Sequence, residues 1–100
     1  MNNLDSTYFF PQVLQVVPNE EFGLYVYFND GSVRFYDMKP LLNPGTVFEK
    51  LRDISIFRSK LTILNGTVAW DINGNRDSRD CIDIDPLVIF ESPMVDDPLK

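Results

Sequence analysis

Two tight reversals constrain this chain more than any other feature: Asp30–Gly31 and Asn65–Gly66, each set between runs of β-branched and aromatic residues. Asp-Gly and Asn-Gly tolerate positive φ at both centres of a type I′ turn, the two-residue loop whose twist suits the strands it joins. The spacing therefore predicts two β-hairpins. In the first, "YVYFNDGSVRFYD", a two-residue loop pairs Phe28 with Val33, Tyr27 with Arg34, Val26 with Phe35 and Tyr25 with Tyr36. Opposed residues share a face of the sheet. One face is then Leu24, Val26, Phe28, Val33 and Phe35, which must be core, and the other is Tyr25, Tyr27, Arg34 and Tyr36. Tyrosine and arginine combine a large contact area with a polar end and are enriched where proteins bind one another, so those four residues form the candidate interaction face. In the second hairpin, "KLTILNGTVAWDI", the same reasoning pairs Ile63 with Val68 and Leu61 with Trp70 on one face and Thr62 with Ala69 on the other, with Trp70 in the core.

Shorter elements fill in around the hairpins. "QVLQVVP", ending at Pro18, reads as a first strand, and "DMKPLLNPGT" as a connector. Thr46 and Glu49 have the spacing of a capping box, which predicts a helix of about two turns in "TVFEKLRD" with Val47, Phe48 and Leu51 on its apolar side. Asp53 can cap a second turn that adds Ile54 and Phe57 to the core. "NGNRDSRD" is a polar loop, and "CIDID" alternates as a short strand with Ile82 and Ile84 inward. Asp85 before Pro86 signals a helix start, whereas Val88, Ile89 and Phe90 favour strand, so residues 86–91 fit either. The expected architecture is α+β: an antiparallel sheet of about five strands with two I′ hairpins and short helices packed on one face. It forms one domain over 1–100, ordered over about 12–90, with flexible tails at 1–10 and 92–100.

The residues of these elements also carry a resemblance. Phe28, Asp30, Gly31, Val33 and Asp37, then Val47, Phe48, Leu51, Asp53 and Phe57, then Trp70, Ile82 and Asp83 stand in an order that resembles a small bacterial family known as domain of unknown function 2442, over about residues 13–90. The resemblance implies an α+β fold. Some members are fused to a DNA-binding helix-turn-helix or lie beside small toxin-antitoxin-like genes, which makes an antitoxin-like regulatory role one expectation. Too few residues follow position 90 here to hold a helix-turn-helix.

Composition bears on function mainly by exclusion. The chain has no histidine, which removes the commonest general base and metal ligand, and its single cysteine, Cys81, cannot form an internal disulfide. A reducing cytoplasm fits that usage, and no apolar run approaches the roughly 18–20 residues of a membrane span. The start "MNNLDSTYFFPQ" lacks the basic and apolar blocks of a signal peptide. Asp71, Asn73 and Asn75 begin like a calcium loop, but Arg76 stands where that loop needs glycine and Ile82 where it needs glutamate. No glycine-rich phosphate fingerprint is present, and Asp77, Asp80, Asp83 and Asp85 read as a solvated acidic edge. No enzyme, cofactor or metal is expected.

Two function classes remain. The first is a non-enzymatic interaction module, with a protein partner or a homo-oligomer formed through Tyr25, Tyr27, Arg34 and Tyr36 or a sheet edge. The second is nucleic-acid binding. Net charge is −6, yet residues 39–60 carry five bases and two acids, for +3, and Lys39, Lys50, Arg52, Arg58 and Lys60 would supply the phosphate contacts. The acidic remainder of the chain opposes that reading.

Overall fold

The computed structural model describes residues 9–100, so the predicted N-terminal tail lies largely outside the described residues. Strands β1 (Val13–Pro18), β2 (Gly23–Phe28) and β3 (Val33–Asp37) form an antiparallel meander, followed by two 3-10 turns (Lys39–Leu41 and Glu49–Arg52) and helix α1 (Ile54–Ser59). A second meander comprises β4 (Leu61–Leu64), β5 (Thr67–Trp70) and β6 (Ile82–Asp83), and the short helix α2 (Pro86–Phe90) follows it. The architecture is α+β with antiparallel sheets and short helices. It contains two three-stranded sheets, in the orders β1-β2-β3 and β4-β5-β6, rather than one sheet of five strands. β1 runs beside β4, and the Val13 amide donates to the carbonyl of Gly66, in the turn that follows β4, at 2.9 Å. The register slips by one between Val13 and Gln15, which marks Leu14 as the extra residue of a β-bulge. A bulge bends and twists its strand. It also sends Val13 inward and leaves Leu14 exposed.

The hairpin at Asn65–Gly66 has the predicted register, with Leu61 opposite Trp70, Thr62 opposite Ala69 and Ile63 opposite Val68. Asn65 and Gly66 both hold positive φ, 53° and 75°, as a I′ turn demands. The hairpin at Asp30–Gly31 differs. Only Gly31 is left-handed, at φ 88°, and the Gly31 amide bonds the Phe28 carbonyl while the Phe28 amide bonds the Ser32 carbonyl. This is a three-residue loop, a type I turn with glycine completing the bulge. Asp30 stays out of the left-handed region because its carboxylate accepts from both the amide and the hydroxyl of Ser32, at 2.9 and 2.6 Å. The pairing is therefore shifted by one from the predicted register: Tyr25 opposes Phe35, Tyr27 opposes Val33, Val26 opposes Arg34 and Leu24 opposes Tyr36. A one-residue slip exchanges the faces of a strand. Val33 and Phe35 leave the predicted core face of the sheet, and Arg34 and Tyr36 take their places, although Val33 is still buried, at 8% exposure, on the outer side.

The core lies between the two sheets. Leu24, Val26 and Phe28 meet Val68, Trp70 and Ile84, with Met38, Leu51, Phe57 and Ile89 added from the connecting segments. Asp53 caps α1 through the Ser55 amide as its position predicts, and Asp85 caps α2 through the Leu87 amide, which settles residues 86–90 as helix. The capping box works differently from its expected form. The Glu49 carboxylate reaches past Thr46 to the Gly45 amide at 2.5 Å, and only a 3-10 turn forms, beginning at Glu49. Val47 precedes that turn and is 72% exposed instead of packed. Among the described residues no helix is long and apolar enough to cross a membrane.

Candidate functional site

An antiparallel sheet that packs one face on the core usually turns a polar face to water. The first sheet does not. The shared register places Gln15, Val17, Tyr25, Tyr27, Val33 and Phe35 on its outer face, and of these only Gln15 is an ordinary solvent residue. Tyr25 and Phe35 pack ring against ring, with centroids 5.1 Å apart and planes at 56°. Phe35 can lie there because Gly23 has no side chain: a Cβ on Gly23 would stand 2.6 Å from the tip of the Phe35 ring. Val17, Tyr25 and Phe35 are each half-buried, so a band of aromatic and aliphatic surface faces outward.

Tyr27 ends this band with a polar contact. Its hydroxyl donates to the Asp97 carboxylate at 2.5 Å, and the same oxygen accepts from the Leu99 amide at 2.8 Å. Burial of the ring, then the bond and the charge of Asp97, push the Tyr27 hydroxyl from its ordinary 10 up to about 12. The Tyr27 hydrogen bond holds the Asp97 carboxyl below its usual range. The neutral phenol is the form that the folded state favours, so this contribution is intact below pH 10 and is lost as pH rises toward 12. In an ultraviolet titration of tyrosinate, Asp97→Asn is expected to move one ionisation downward from about 12 toward 10; an unchanged titration would remove the pairing.

The four residues expected to share a face are divided. Tyr25 and Tyr27 are on the outer face, whereas Arg34 and Tyr36 point to the inner side, because the turn at Asp30–Gly31 holds three residues and not two. Arg34 stacks its guanidinium 4.3 Å above the centre of the Phe90 ring, and its Nη1 donates to the Ser92 carbonyl at 3.0 Å. Tyr36 packs against the core, and burial raises its hydroxyl pKa. Val17, Val33 and Phe35 are the outer-face members that sequence reasoning missed. For Val33 and Phe35 the signal was the alternative reading of "NDG" as a three-residue loop.

The basic segment is also dispersed. Glu21 approaches Lys39 at 3.6 Å and Glu20 approaches Arg58 at 3.7 Å, so the turn before β2 carries acids to two of the five bases. Lys39 and Arg52 flank a cleft of about 330 Å³ floored by Phe22 and Leu42, while Lys60 borders another with Asp71 and Arg76. Lys50 lines neither.

The loop after β5 is organised by Asp71, whose two carboxylate oxygens accept from the Gly74 and Arg76 amides at 3.0 and 2.9 Å. Oδ1 also accepts from the Cys81 thiol at 3.7 Å. Among the described residues no three His, Cys, Asp or Glu side chains gather as metal ligands. Burial, then the Asp71 charge, pushes the Cys81 thiol up, which disfavours the nucleophilic thiolate.

The family model described as a protein of unknown function, DUF2442, matches residues 13–92, a span that includes both sheets and α2. No curated protein and no solved structure matches the chain.

Proposed function

The chain belongs to the DUF2442 family, and from that premise we propose that it acts as a small protein-binding module whose contact surface is the outer face of the first sheet. One observation carries the reading: the sheet is apolar on both sides when one side suffices for the core. Val17, Tyr25 and Phe35 give a partner a desolvatable centre, and the Tyr25 hydroxyl gives it a polar end. Exposed apolar surface in a solvated domain costs solubility unless it is covered for part of the protein's life, and surfaces of this composition concentrate binding energy in a few aromatic residues. The partner is a protein or a second copy of the chain. A regulatory, antitoxin-like role would use the same face.

Tyr25→Ser tests the reading, because it removes the ring without touching the core side of β2. Sedimentation of the purified protein and co-purification from its native cell are expected to lose the wild-type association by about tenfold or more, while circular dichroism stays native. Association identical to wild type would exclude this face. The nucleic-acid reading predicts a different signature: affinity that falls steeply with salt and depends on Lys39 and Arg52 rather than on Tyr25.

A further inference from the structure

An edge strand presents unpaired amides and carbonyls, and folded proteins cover or disrupt such edges. β3 is the outer strand of the first sheet, and its outward groups are occupied by the chain's own C-terminal segment. The Phe35 amide donates to the Pro93 carbonyl at 3.1 Å, the Val95 amide donates to the Val33 carbonyl at 2.9 Å, and Arg34 and Met94 form an antiparallel bridge. Two residues further on, Asp97 accepts the Tyr27 hydroxyl. Residues 92–97, for which the sequence predicts a flexible tail, thus lie along the sheet. Little apolar burial supports them: Met94 is 66% exposed and Val95 37%. The segment also flanks an open pocket of about 550 Å³, lined by Tyr27, Val33, Val95, Asp97 and Lys100, where it meets the hairpin. Segments held by a few backbone bonds with scant buried surface are the first to open.

We propose that the outer edge of β3 and the Tyr27 hydroxyl form a docking site for an extended strand of a partner protein, and that Pro93–Asp97 is an internal occupant which such a strand displaces. The occupant shows the chemistry the site selects. The first position offers only a carbonyl, to the Phe35 amide, which is why proline is tolerated there. The third is apolar and gives its amide to the Val33 carbonyl. The fifth carries a carboxylate for Tyr27. Strand addition of this kind takes affinity from the main chain and selectivity from alternate side chains. A second copy of the chain is disfavoured as donor because each copy carries a net charge of −6. The site uses the Phe35 backbone amide and the Tyr27 hydroxyl but neither the Tyr25 nor the Phe35 ring, so Tyr25→Ser leaves its hydrogen-bonding groups in place.

The test titrates a fluorescent peptide of the sequence SPMVDDPLK onto the full-length protein. Asp97→Asn in the protein weakens only the internal occupant, so the peptide, which keeps its aspartate, is expected to bind this variant about threefold to tenfold more tightly than wild type. Tyr27→Phe removes the anchor from occupant and peptide alike, and the peptide should bind it no better than wild type. Equal affinity for wild type and Asp97→Asn, or no binding to either, would overturn the proposal. Concentration-dependent dimerisation of Asp97→Asn would overturn the foreign donor in favour of a second copy.

Discussion

Trp70→Ala is expected to cost about 3–5 kcal/mol, the range for truncating a large buried aromatic residue. Trp70 is fully buried, packs against Phe57 at 5.5 Å between ring centroids, and donates its indole N–H to the Phe57 carbonyl at 2.9 Å. It stands opposite Leu61 on one neighbouring strand and Ile82 on the other. One side chain therefore joins three strands of the second sheet to helix α1, and its loss opens a cavity and strips a buried carbonyl of its side-chain partner. Domains have only about 5–15 kcal/mol of stability in total, so the variant should sit near the unfolding threshold at 37 °C. Urea denaturation followed by circular dichroism measures it, since the variant has no tryptophan left to report by fluorescence. Trp70→Phe keeps most of the volume and loses the hydrogen bond, and should fall between the two. A cost below about 1 kcal/mol for the alanine variant would contradict a core built around Trp70.

Local chemistry was legible wherever one residue both supplied and consumed the signal. Asn65–Gly66 dictated its register because both residues adopt the conformation that the pair favours, and Asp53 and Asp85 each satisfied an amide two positions along the chain. Asp30–Gly31 misled because the Asp30 carboxylate had a better use. By bonding Ser32 it stabilised a longer loop, and a single residue of slip exchanged Arg34 and Tyr36 for Val33 and Phe35. Hydrophobic patterning offered no correction, since β3 has aromatic residues at both 35 and 36 and either register buries one of them. The same doubly apolar pattern that hid the register creates the candidate contact face. The C-terminal segment was illegible for another reason: backbone groups hold most of it, and every sequence carries those.

Arg34→Ala separates the two registers by experiment. Were Arg34 on an outer contact face, its truncation would change association and leave stability nearly untouched. Its observed position assigns it to the inside of the fold. The guanidinium covers the Phe90 ring, Nη1 holds the Ser92 carbonyl just past the end of α2, and Nε donates to the Ser32 hydroxyl at 3.3 Å. No carboxylate among the described residues forms a salt bridge with it. The stabilisation comes instead from a charged hydrogen bond to a neutral carbonyl, worth about 1.5–3 kcal/mol, and from a cation-π contact worth roughly 0.5–1. Because the side chain is half-buried, the expected net loss is about 2 kcal/mol, or on the order of 10 °C in Tm for a domain of this size. Arg34→Lys should recover little, since an ammonium cannot stack flat on Phe90 while reaching both oxygens. The release of α2 should also free the start of the Pro93–Asp97 segment, so hydrogen exchange at the Val95 amide is expected to rise with the loss of stability. A stable Arg34→Ala protein with altered association would restore the two-residue turn and place Tyr36 back beside Tyr25.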